Sequence, residues 1–210
     1  MRTIFLFAFV LSSIGILDGN LNFKQALKDK HVTDINIKLV AKTKVCGVPL
    51  GESWPTVRKQ LTKRGYKVQF MQKQQIVGTK RKWDVWFVSP MPVKSTVFRT
   101  EVLILLIYKD RVAGLTCWCK NEQTSALLEQ AIRNKYGNPL NDTLTARLYM
   151  IALKTDKPNI KLPVFVLFVQ EINLLGEDNF YVGYIHAFCL ADALAEATKN
   201  VSEEEGITGD

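Results

Sequence analysis

Four cysteines and two histidines are the residues of this chain whose types are best suited to chemistry. Cys117 and Cys119 are one residue apart in a strand-like run, and His186 precedes Cys189 by three positions in another. Those ligand types suit zinc, but the usual zinc pair is spaced Cys-x₂₋₄-Cys. In an exported chain the same thiols read more naturally as disulfides. Side chains two apart on a strand share a face, with ~6.5–7 Å between their Cα atoms, which is at the edge of disulfide reach. The expectation is therefore that Cys117 and Cys119 each bond a distant partner, one of them Cys46 and the other Cys189. Each such bond would close a long loop and stabilise the fold by roughly 2–4 kcal/mol.

Signs of catalysis are few. A nucleophile needs a base beside it, and the local Cys/His pair is Cys189 with His186. No serine sits in a Gly-x-Ser-x-Gly turn, no glycine-rich loop is built for phosphate, and no carboxylate pair stands out. His31 lies in a Lys-rich polar segment and reads as solvated. His186 shares an alternating apolar pattern with Val182, Tyr184 and Phe188, where a lone histidine is usually a hydrogen-bonded core residue. No catalytic residue, metal or cofactor is assigned. A thiol or metal-dependent enzyme built on Cys117, Cys119, His186 and Cys189 stands as the alternative from another class.

Charge is the sharper signal. The chain carries +8 overall, unevenly: residues 1–120 hold 21 Lys+Arg against 7 Asp+Glu, and residues 121–210 hold 7 against 13. No acid occurs from Ser53 to Trp83, whereas Arg58, Lys59, Lys63, Arg64, Lys67, Lys73, Lys80, Arg81 and Lys82 are all basic. Tyr66, Phe70 and Trp83 are interleaved with them. A field of this kind attracts an anionic partner: an acidic protein, lipid headgroups or an acidic polysaccharide. Nucleic acid would suit the charge but not an exported location. The candidate partner-binding residues are Arg58, Lys59, Lys63, Arg64, Lys67, Lys80, Arg81 and Lys82. The competing reading is a solvated helix face followed by a loop, balanced by the acidic second half.

The elements that must position these residues are legible as periodicities. Ile35 to Ala41 alternates as a strand. Ser53 and Pro55 open a helix whose apolar face is Trp54, Val57 and Leu61, and Gly65 closes it. Strands follow at Tyr66–Phe70, Trp83–Val88, Val102–Tyr108 and Val112–Cys119. The run Val102–Tyr108 is apolar on both faces, which predicts a central position in the sheet. A second helix spans Glu122–Tyr136, capped by Asn121 or Thr124, with Leu127, Leu128, Ala131, Ile132 and Tyr136 as its stripe. Three more strands are predicted at Leu144–Leu153, Leu162–Glu171 and Phe180–Phe188, separated by turn residues. Ala191–Lys199 reads as a short terminal helix. The fold class is α+β: an antiparallel sheet with helices on one face, made of two helix-then-meander units over 35–120 and 121–200.

At the N-terminus, Arg2 precedes an apolar stretch from Ile4 to Leu11 and the small residues Ser12, Ser13 and Gly15, a secretory signal pattern over residues 1–15. Residues 16–200 then form a single α+β domain and residues 201–210 an acidic tail. The apolar stretch Ile4–Leu17 is 14 residues, short of a transmembrane span. No cysteine lies near the cut to carry a lipid anchor. The expected location is secreted or periplasmic.

The piece Gly51-Glu52-Ser53-Trp54-Pro55-Thr56-Val57, with Leu61 four residues on, resembles the helix start of small secreted bacterial α/β modules. These are the modules of the outer-membrane assembly lipoprotein and β-lactamase-inhibitor-protein type. The ending Lys135-Tyr136-Gly137-Asn138-Pro139 is similar to helix endings in many periplasmic proteins. The resemblance implies a secreted binding module rather than an enzyme. A protein held at a membrane surface by its basic face is a third reading.

Overall fold

The computed structural model describes residues 43–75, 82–142, 146–154, 161–172 and 178–186. A small hairpin comes first, with β1 at Thr43–Val45 and β2 at Val48–Leu50. Its turn is Cys46-Gly47, where both residues have positive φ (49° and 78°). Gly47 is required twice over, since a Cβ there would also meet Val93 Cγ2 at 2.6 Å.

Helix α1 spans Trp54–Lys63 and is followed by β3 (Lys67–Gln75), β4 (Lys82–Ser89), β5 (Leu103–Tyr108) and β6 (Arg111–Trp118). Helix α2 spans Glu122–Tyr136 and is followed by β7 (Asn141–Asp142), β8 (Ala146–Lys154), β9 (Lys161–Ile172) and β10 (Asp178–His186). Helix then meander thus occurs twice, as the periodicities predicted. All strands from β3 onward form one antiparallel sheet in the order β3-β4-β5-β6-β10-β9-β8-β7. From either edge inward, each unit's first strand is outermost and its last is central. The units meet at β6 and β10, paired from Gly114↔Ile185 to Trp118↔Tyr181.

Both helices lie on one face of this sheet. Trp54, Val57 and Leu61 of α1 and Ile132 of α2 join one core cluster with Leu103, Leu105, Ile107, Leu115 and Val182. Ile104, Leu106, Tyr108, Leu148, Phe165 and Leu167 point to the other face, in a cluster built of strand residues. Every residue of β5 is therefore buried, which is why its sequence is apolar without alternation.

Two local expectations need correction. Ser53 stands at the N-cap of α1, but its hydroxyl makes no cap bond. Pro55 has no amide to offer, and the Trp54 amide instead donates to the Asp110 carbonyl at 2.8 Å, tying the helix start to the β5–β6 turn. On α2 the cap is as expected: Asn121 and Thr124 bond each other reciprocally. Of its predicted stripe, Ile132 is buried and Leu128 and Tyr136 pack against the same core, but the other two positions are not covered. Leu127 is 64% exposed and Ala131 is also exposed, while Ser125, Glu129 and Ile132 are buried. Glu129 turns inward because β8 supplies partners for it. Arg147 Nε and Tyr149 Oη both donate to Glu129 Oε1, each at 2.6 Å.

The predicted strand at Ile35–Ala41, His31, the terminal helix at Ala191–Lys199 and the two chain ends lie outside the described residues. No described helix is long and apolar enough to cross a membrane.

Candidate binding surface

Helical spacing places the basic residues of α1. With Trp54, Val57 and Leu61 buried, Arg58, Lys59 and Lys63 are left exposed, as is Arg64 just after the helix. Strand register places the rest. Phe70 pairs with Trp86, Lys73 with Asp84, and Gln75 with Lys82. Paired residues share a face, and Trp86 packs into the helix-side cluster, so Phe70, Lys73 and Lys82 flank α1. Lys67 alternates to the opposite face. Of the eight predicted residues, Arg58, Lys59, Lys63, Arg64 and Lys82 gather on the helix-bearing face. Lys80 and Arg81 lie outside the described residues.

Three residues of this surface were not among the predicted site residues: Phe70, Lys73 and Trp86. The Arg58 guanidinium carbon sits 4.7 Å from the centroid of the Trp86 ring. Trp86 in turn packs on Trp54 at 5.0 Å and edge-on to Phe70 at 5.4 Å. Phe70 remains 43% exposed, a large apolar side chain set among lysines. Arg58 is thereby held over an aromatic face, an arrangement worth about 0.5–1 kcal/mol at an exposed site. The signal for Trp86 was its phase, two residues before Val88 on the same side of the strand. Asp84 is the one acid in the sequence between Glu52 and Glu101, and it pairs with Lys73 at 3.9 Å. The other basic residues of this surface retain their positive field.

The cysteines behave differently from expectation. None of the three described cysteines is in a disulfide. Cys46 and Cys117 do come together, with their Sγ atoms 3.4 Å apart, as thiols rather than at bonding distance. Cys119 is buried and its thiol is pushed up to about 11 by that burial, against the opposing effect of a hydrogen bond with Ser125. Cys189 lies outside the described residues. Among the described residues no group of three or more His, Cys, Asp or Glu side chains is gathered to hold a metal ion.

Among the described residues, His186 is not brought to Cys117. Cys117 pairs with Val182, four residues back along β10, which is a rise of about 13 Å. The His186 ring is buried, and burial, followed by the charge of Arg111, lowers its proton affinity to a pKa of about 4. Unfolded, the same ring takes a proton near pH 6.5. Between those values the unfolded chain binds more protons than the folded one. The stability contributed by the neutral buried ring is thus complete above pH 6.5 and is lost as pH falls from there towards 4. Urea titration should find the protein about 2 kcal/mol less stable at pH 5 than at pH 8 through this group. His186→Phe should remove that part of the pH dependence, and an unchanged profile in the variant would assign the effect elsewhere.

Comparison of the chain with protein-family models, with curated proteins and with solved structures finds no match.

Proposed function

We propose that this chain is an exported, non-enzymatic binding protein that captures an anionic partner on the basic flank formed by α1, β3 and β4. The observation that carries the reading is the exposure of Arg58, Lys59, Lys63, Arg64, Lys73 and Lys82 beside Phe70 and Trp86, with Asp84 as the one acid of that stretch. A positive field of this kind speeds association with polyanions, and exposed aromatic surface holds what the field attracts. Export is supported by the signal pattern at Arg2–Gly15 and by the resemblance of the α1 start to secreted binding modules. In an exported location the thiols would meet oxidising conditions. The enzyme reading draws no support from the separation of His186 and Cys117.

The test is charge reversal on the helix-bearing face, with Lys59→Glu, Lys63→Glu and Lys82→Glu combined. Retention on an immobilised acidic polysaccharide, on anionic vesicles and on an acidic protein is compared at 0.1 M and 1 M salt, where the Debye length falls from ~10 Å to ~3 Å. The parent should be held by at least one of the three polyanions at low salt and released at high salt. The variant, with unchanged circular dichroism, should bind that polyanion roughly tenfold or more weakly. Equal capture of parent and variant at low salt would reduce the basic run to a soluble surface.

A further inference from the structure

We propose that Cys46 and Cys117 form a thiol–disulfide site, which closes by exchange with a small-molecule disulfide and fastens the β1–β2 hairpin to the central strand β6. The two Sγ atoms stand 3.4 Å apart although their residues are 71 positions apart in the chain. The fold has therefore already brought the ends of a long loop together, and an S–S bond of ~2.05 Å needs a closure of little more than 1 Å. The hairpin is positioned to supply it. Its strand β2 runs on into backbone bonds with β6, from the Gly51 amide to the Val112 carbonyl at 2.8 Å and from the Val112 amide to the Glu52 carbonyl at 3.0 Å. Cys46 occupies the hairpin turn, where a single residue can shift without breaking a ladder bond.

The two thiols have unequal roles. Cys46 is partly exposed, whereas Cys117 is fully buried on β6. The hydrogen bond shared with Cys117 lowers the proton affinity of Cys46, and burial raises that of Cys117 well above the ordinary thiol range. Cys46 is thus the more accessible and the more readily deprotonated of the two, the thiol that an external disulfide reaches first. It attacks one sulfur of that disulfide, forms a mixed disulfide and expels one small thiolate. Cys117 then gives up its proton, attacks Cys46 Sγ and expels the second small thiol. Two protein thiols are oxidised, one external disulfide is reduced to two thiols, and no other oxidant is required. Cys119 is two residues further along the strand and hydrogen-bonded with Ser125, so it is not the partner.

The reduced full chain is incubated with oxidised glutathione at neutral pH, remaining thiols are alkylated, and the protein is digested. Cleavage after Trp118 separates Cys117 from Cys119. The expected product joins the peptide containing Cys46 to the one ending at Trp118. Closing so long a loop should raise the melting temperature by about 10 °C over the reduced chain, a shift that Cys46→Ser abolishes. A Cys119→Ser, Cys189→Ser double variant should keep both the bond and the shift. Cys46 fully alkylated after oxidation, or joined to Cys119 or Cys189 instead, overturns the assignment. The mapping uses the unmutated chain, so it decides even if a variant folds poorly. It is also independent of the polyanion experiment.

Discussion

Gly114→Ala should destabilise the fold by about 3 kcal/mol, and Gly114→Val should leave little soluble protein. Gly114 lies on β6 opposite Ile185 of β10, in the seam between the two units. A Cβ at this position would come within 2.6 Å of the Tyr184 carbonyl oxygen and 3.3 Å of the Ile185 Cα. Both are backbone atoms in a paired strand, so neither can swing aside as a flexible side chain would. The strands would have to separate, and with them the ladder that joins one helix-and-meander unit to the other. Against a total stability of roughly 5–15 kcal/mol, a loss of this size is a large fraction. Urea denaturation of the alanine variant is the direct measurement. A shift smaller than about 0.5 kcal/mol would mean that the seam relaxes freely, contrary to the tight approach of β6 and β10.

The second large effect is expected at Glu129. Its carboxylate is buried under α2 and accepts bonds from Arg147 and from Tyr149, whose ring is 1% exposed. Arg133, one turn further along α2, reaches the Tyr149 hydroxyl at 3.4 Å and Asp142 at 3.7 Å. Burial, then the bond to Glu129, raises the proton affinity of Tyr149, so it stays a neutral donor. Glu129→Ala would leave the Tyr149 hydroxyl proton without its acceptor and Arg147 without its carboxylate partner. The expected cost is about 2 kcal/mol, because the buried Tyr149 hydroxyl loses its acceptor while the part-exposed Arg147 can turn to water. Glu129→Gln keeps an acceptor and should cost about half as much. In a double-mutant cycle, Glu129→Ala and Tyr149→Phe together should cost at least 1 kcal/mol less than their sum. Strict additivity would show that the network does not hold α2 to β8. By contrast, Leu127→Ala, on the exposed side of the same helix, should be nearly neutral.

The local periodicities of this chain determined its class of fold. Trp54, Val57 and Leu61 are spaced for one face of a helix, and that face is buried. The unbroken apolar run from Val102 to Tyr108 marked a strand covered on both sides, and β5 is such a strand. Asn121, Gly65 and Gly137 marked helix ends, because caps and left-handed turns depend on the residue and its immediate neighbours. The basic run was legible for the same reason: charge is a property of the residues, and helix spacing alone turns Arg58, Lys59 and Lys63 outward.

What only the tertiary structure decided involves partners far apart in the chain. Apolar periodicity placed Leu128, Ile132 and Tyr136 of α2 against the core but included Leu127 and Ala131 and missed Glu129, because a hydropathy pattern cannot anticipate an arginine and a tyrosine waiting on β8. The placement of Phe70 and Trp86 beside Arg58 depended on the β3–β4 register, which shifts at the irregularity between Phe70 and Gln72. The meeting of Cys46 with Cys117 depended on a hairpin folding back over β6. The close approach at Gly114 depended on which strands become neighbours, and β6 lies beside β10 only because the two units join through their last strands. Pattern along the chain encodes which face is apolar. Which surfaces meet is decided by packing whole elements together, where a single backbone distance or buried carboxylate can outweigh local preference.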